Sequence, residues 1–184
     1  MKFFINLFLM FLIIYQPGIS VSQDKEELIE YIREELENIH LDTNLRSTTL
    51  INEEFLPDMT DGGGELTGFY DENGISKIYR SVGISNGVGI TEFYYKKNKL
   101  IFVREKFNSY VFNENTKSFD YTKINTTYSG SYYFSKDKIF NSTVKGKRSF
   151  GDNLTDIQDI LKKESDEAFK RINESIKQVQ DNKQ

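Results

Sequence analysis

Between residues 24 and 40, apolar side chains recur every three or four positions. Leu28, Ile32, Leu36 and Ile39 fall on one face of a helix, and Ile29 widens the stripe. Asp24 with Glu27 three residues on reads as a capping box that starts this helix, which is expected to end near His40. The other face carries Glu26, Glu27, Glu30, Arg33, Glu34, Glu35 and Glu37, a solvated and mainly acidic surface. From about Thr49 to Lys147 the period shortens to two, in short runs of Tyr, Phe, Ile, Val and Thr broken by Gly, Asn, Asp and Lys, which is strand chemistry. Asn73-Gly74 predicts a two-residue type I′ turn between strands around Leu66–Tyr70 and Ile75–Val82, because both residues tolerate positive φ.

The same device recurs without gaps at Phe69–Ile75, Tyr94–Leu100 and Tyr133–Ile139. Each copy ends an aromatic strand in an Asn or Asp turn and restarts on an aliphatic residue, so each predicts a hairpin. The starts lie 25 and 39 residues apart, which describes a meander and not a solenoid. In the middle copy Leu100, Phe102 and Arg104 alternate with Ile101, Val103 and Glu105, so both faces are apolar at the start. Phe119 and Tyr121 oppose Asp120 and Thr122, a strand with one face in water. A second helix is expected from Asp152 to Thr155 onward, with Ile157, Ile160, Leu161, Ala168, Ile172, Ile176 and Val179 at helical spacings and Phe169 beside them. The expected fold class is α+β: an antiparallel β-meander flanked by an N-terminal and a C-terminal amphipathic helix, the helices packing on one face of the sheet.

Composition adds the leader. Lys2, the apolar run Phe3–Tyr15 and the small residues Ser20 and Ser22 have the three parts of a secretory signal, with cleavage expected before Gln23 and cleavage after Ser20 as the alternative. The run is short of the ~20 apolar residues of a spanning helix, so no membrane span is expected after cleavage. This divides the chain into a signal peptide (1–22), a single α+β domain (23–180) and a frayed polar tail (181–184). Residues 1–22 carry Lys2 and no acid, so their removal takes the net charge from -4 to -5, a poor match for nucleic acid. There is no cysteine, hence no disulfide, thiolate ligand, thiol nucleophile or lipidated cysteine, which fits a bacterial envelope.

Catalytic signals are sparse. His40 is the only histidine and sits where a helix C-terminus favours positive charge. Asp58, Asp61 and Glu65 around Gly62-Gly63-Gly64 lack calcium-loop spacing and read as a solvated loop, while Gly83–Gly89 reads as a broad hairpin connection. Nothing points to a cofactor or a metal. The basic residues around Lys96–Lys106 and Lys145–Arg148 read as edge protection. The distinctive feature is aromatic density, and the binding candidates are Tyr70, Tyr79, Tyr94, Tyr95, Tyr110, Tyr132 and Tyr133, weighed against ordinary cross-strand pairing.

At Gly64-Glu65-Leu66-Thr67-Gly68-Phe69-Tyr70, Leu100–Lys106 and Tyr132-Tyr133-Phe134, the chain resembles uncharacterised exported bacterial proteins that carry these strings. The resemblance implies a fold and an exported location only. The recurring hairpin is faintly similar to MORN-type repeats, from which irregular spacing and sparse glycines set it apart. The expectation is therefore a non-enzymatic periplasmic or secreted binding protein whose partner is a protein, as in an inhibitor or immunity protein, or a glycan. The alternatives are a glycan hydrolase using carboxylates such as Glu65, Glu92 and Asp120, and a structural envelope component.

Overall fold

The computed structural model describes residues 18–148 and 156–181. Most of the expected leader, the expected helix start at Asp152 to Thr155, and residues 182–184 lie outside this range. Helix α1 (Gly18–Leu41) is followed by strand β1 (Arg46–Ile51) and a 3-10 turn at Asn52–Glu54. Then come β2 (Gly64–Asp71), β3 (Gly74–Ile84), β4 (Gly87–Lys96), β5 (Lys99–Asn113), β6 (Ser118–Ser135), β7 (Lys138–Gly146) and helix α2 (Ile157–Asp181). The seven strands form one antiparallel sheet in sequence order, β1 through β7, which is the expected meander between two helices. Among the described residues no helix is long and apolar enough to cross a membrane.

The three recurring segments are indeed hairpins, and they share a feature that period-two reading does not see. In each, the ladder slips by one residue between the two aromatic positions, at Phe69/Tyr70, Tyr94/Tyr95 and Tyr133/Phe134. The extra residue lies on the returning strand, at Ser76, Ile101 and Phe140. A bulge of this kind restores or reverses side-chain parity. Beyond it, Leu100 and Val103 lie on one face while Phe102 lies on the other. Turn chemistry differs between copies. Lys97-Asn98 and Lys136-Asp137 have positive φ at both central residues, as a type I′ turn requires. The first copy departs from expectation: its central pair is Glu72-Asn73, and only Gly74 has positive φ, at 121°. Asp71 accepts from the backbone N–H and the side-chain amide of Asn73 at 2.8 and 2.9 Å, an Asx turn that places the reversal one residue earlier in the chain. The glycine run at 83–89 is also tighter than expected, since Ile84 pairs with Gly87 across the two residues Ser85-Asn86.

The helices cover opposite faces of the sheet, which corrects the one-face arrangement. Parity explains why: the second aromatic of each hairpin (Tyr70, Tyr95, Phe134) faces α2, and the first of the later two (Tyr94, Tyr133) faces α1. Leu161, Ser165, Ala168, Ile172 and Ile176 form the buried stripe of α2. Gly68 on β2 lets this helix approach closely, for a Cβ there would lie 2.2 Å from Ile172 Cγ2. Asp156 starts α2 by accepting from Gln158 N at 2.8 Å. Across the sheet, Ile32 and Leu36 of α1 rest on Tyr94 and Phe102, flanked by Leu28 and Ile39. Burying each such aliphatic side chain contributes about 1.5–3 kcal/mol. Helix α1 runs through Asp24, so that residue is not its N-cap, and Glu27 instead accepts from Gln23 Nε2.

Candidate functional site

Strands β5 and β6 are the longest of the sheet, and their outer halves leave it. The last partner of β5 on β4 is the Gly87–Ser109 pair, and the last partner of β6 on β7 is the Gly146–Tyr128 pair. Beyond these, β5 and β6 have no other strand partner and continue as a two-stranded arm closed by Glu114–Lys117, tied at its root by Tyr110 N–H donating to the Asn86 carbonyl at 3.0 Å. Alternation carries the α1-facing side of β5 outward through Lys106, Asn108, Tyr110 and Phe112. Pairing places Ile124 opposite Tyr110 and Phe119 opposite Phe112. Tyr121 meets Tyr110 edge to face at 4.9 Å between ring centroids, and Phe119 meets Phe112 likewise at 5.2 Å. Much of this row remains in water: Tyr121 is 65% exposed, Ile124 57% and Phe112 44%, while Tyr110 and Phe119 are half-buried.

The outer edge of the arm is not a free template for another strand. Between Asp120 and Ile124 the ladder skips three residues of β6, Tyr121, Thr122 and Lys123. Asp120 holds this swelling by accepting from Thr122 N (3.0 Å) and Thr122 Oγ1 (2.6 Å), with Lys123 Nζ at 3.0 Å. Those hydrogen bonds, the Thr122 hydroxyl first, hold the Asp120 carboxyl down at about 2. An irregular edge of this kind disfavours strand addition.

The tyrosines singled out by sequence scatter. Tyr70, Tyr94, Tyr95 and Tyr132 are buried, Tyr79, Tyr110 and Tyr133 are half-buried, and of the seven only Tyr110 belongs to the arm. Tyr94 donates to His40 Nε2 at 3.2 Å, while His40 Nδ1–H donates to the Leu36 carbonyl at 2.7 Å, so His40 ties the end of α1 to the sheet. Tyr95 reaches Ser165 of α2 at 2.8 Å. Burial pushes the hydroxyls of Tyr94 and Tyr95 well above their ordinary range. Phe112, Phe119, Tyr121 and Ile124, the rest of the exposed patch, were not among the sequence candidates. The signal that could have found them is the length of the aromatic alternation on both sides of the polar Asn113–Lys117 stretch.

The three carboxylates considered for hydrolysis do not meet. Glu92 lies between Lys77 (2.6 Å) and Arg104 (3.2 Å); burial works against its charge, but these two cations outweigh it and lower its pKa. Glu65 accepts from Thr67, and Asp120 belongs to the arm. Among the described residues no three potential metal ligands gather.

On the α2 side the structure does bring ionisable groups together. Glu105, fully buried, receives Arg148 Nη2 at 3.0 Å and Nε at 3.3 Å and the Tyr128 hydroxyl at 3.1 Å. Tyr132 folds back over Gly130, where a Cβ would lie 2.6 Å from its ring, and its hydroxyl meets that of Tyr128. Next to this network is a cavity of about 440 Å³ between the 55–57 segment, β2, β3 and α2, floored by Phe55, Leu56, Leu66 and Ala168. Arg80 and Glu164 face it. Burial raises the Glu164 pKa, the charges of Glu105 and Glu167 add to this, and Arg80 and Arg148 oppose it. No protein-family model matches the chain, and neither a curated protein nor a solved structure matches it.

Proposed function

We propose that this is an exported, non-enzymatic binding protein that receives a protein partner on the aromatic arm of β5 and β6. The observation that carries this reading is the row Tyr110, Phe112, Phe119, Tyr121 and Ile124 on a ribbon that no other strand or helix covers among the described residues. A two-stranded ribbon is marginal by itself in water, and large apolar side chains left on one are a cost that a partner would remove. Aromatic residues suit the purpose because they offer rigid area with little entropy to lose. Neighbouring rings meet at 68° and 71°, so the surface is a set of knobs and not the flat platform on which a sugar stacks. That favours a protein over a glycan. The bulged edge directs the partner to the face of the ribbon and away from strand addition.

The test places a photo-crosslinking residue at position 121 and, as a control, at position 31 of α1, where Tyr31 is also exposed. In native envelope extract, position 121 should trap one discrete protein that position 31 does not, and Phe112→Ser should abolish the adduct while leaving the melting temperature of the core unchanged. Equal trapping from both positions, or trapping insensitive to Phe112→Ser, overturns the reading.

A further inference from the structure

The cavity under α2 contains a polar atom that the fold leaves unanswered. Glu164 Oε2 is buried and has no hydrogen-bond partner, and Arg80, half-buried on β3 across from it, takes part in no ion pair or side-chain hydrogen bond among the described residues. Glu105 is bonded to Arg148 and Tyr128, and no hydrogen bond or ion pair joins it to Arg80 among the described residues. We propose that this cavity binds a small monocarboxylic acid with an apolar body, its carboxylate held between Arg80 and Glu164 and its body laid on Phe55, Leu56, Leu66 and Ala168.

Size and lining agree with this. A volume of about 440 Å³ falls in the range of small-molecule sites, and four buried apolar side chains form a floor beneath Arg80 and Glu164, with Asp159, Lys163, Glu167 and Arg171 completing the charged wall. The floor is also rigid. A Cβ at Gly64 would lie 2.7 Å from Phe55 Cζ and 2.9 Å from Leu56 Cδ1, so these two rest directly on the β2 backbone. The sign of the ligand follows from Arg80. A guanidinium cannot discharge by losing a proton, so its half-buried charge calls for an anion, and a planar carboxylate matches its fork of donors. Glu164 complements the same anion in its neutral form, as a single O–H donor, and burial favours that form. The groups facing Glu164 are Arg80 and Glu105 from the sheet, Arg148 beyond β7 and Glu167 one turn on, with Asp159, Lys163 and Arg171 at the rim.

Binding then depends on pH in a stated direction. The complex needs Glu164 protonated, so affinity for a carboxylate falls as pH rises through the raised pKa of that residue. An amine ligand would require ionised Glu164 and show the opposite slope.

Octanoate and octylamine serve as probes, titrated into the purified protein by calorimetry with backbone amide shifts followed in parallel. Octanoate should saturate and perturb Leu56, Leu66 and Ala168. Arg80→Met should weaken it by roughly tenfold or more, the loss expected for one desolvated charge-assisted contact. Glu164→Gln keeps a neutral donor, so it should retain binding and remove the pH dependence. Preferential uptake of octylamine, amide shifts that fall elsewhere, or the absence of saturable octanoate binding to protein shown by its dispersed spectrum to be folded would each overturn the proposal. None of these readouts involves the arm, so the two proposals fail separately.

Discussion

The Glu105–Arg148 pair is the residue-level feature with the most at stake. Both side chains are nearly or fully out of water, and Tyr128 adds a third contact to the carboxylate. Removing one partner strands the other charge, which is far more costly than never having buried either. Arg148→Met should therefore destabilise the fold by about 3–5 kcal/mol, whereas Arg148→Met combined with Glu105→Leu should recover most of that loss. Urea denaturation of the two variants measures this, and equal stability of the single and double variants would show that the pair carries no such penalty. The pair could not be read from sequence, because 43 residues separate its members and neither lies in a local motif. His40, by contrast, was correctly placed at a helix end, although its second contact, to Tyr94, comes from a strand more than fifty residues on.

At the level of elements, the close seating of α2 on β2 depends on Gly68. A methyl group there would overlap Ile172, so Gly68→Ala should shift the helix outward and lower stability by about 1–3 kcal/mol, the usual range for overpacking. Thermal melts read the loss, and partial restoration by Ile172→Ala in the same chain, which removes the overlapping Cγ2, would identify the contact responsible. Helices and hairpins were legible because their signals are local: a stripe at 3.6 residues for α1 and α2, and an aromatic strand ending in Asn or Asp for three hairpins. Facing direction was not legible. It is decided by bulges at Ser76, Ile101 and Phe140, which no local residue type announces and which change the parity of everything that follows. Period-two reading consequently joined Leu100 and Phe102 on one face, where the chain sends them to opposite helices, and four of seven chosen tyrosines turned out to be core. The Asn73-Gly74 signal misplaced its turn by one residue because Asp71 offers the backbone a stronger local partner.

At the scale of the whole molecule, tyrosine hydroxyls lie in both layers of the core. Tyr94 touches α1, Tyr95 touches α2, and Tyr128 and Tyr132 meet in the buried network; burial raises the pKa of all four. In the unfolded chain these groups ionise near the ordinary value of about 10. The folded state holds them neutral, so the unfolded state releases protons first, and stability is kept below about pH 10 and lost as pH rises above it. Melting temperature should fall steeply between about pH 9 and about pH 11, and a variant with Tyr95→Phe should show a shallower fall. An unchanged slope in that variant would show that ionisation of Tyr95 is not part of the transition.

The sequential order of the seven strands bears on how such a chain assembles. Each strand finds its partner in the segment made just before it, so loop closure is short at every step and pairing can advance in one direction as the chain lengthens. Helix α2 is an exception, because its contacts reach back to β1, β2 and β3 at the far end of the sheet. Its docking is a long-distance closure in an otherwise neighbour-to-neighbour sheet, as is the seating of α1 on Tyr94 and Phe102 of the opposite face. Until α2 docks, the Leu66, Phe93 and Val103 side of the sheet stands bare, and the partly folded chain is at its most adhesive.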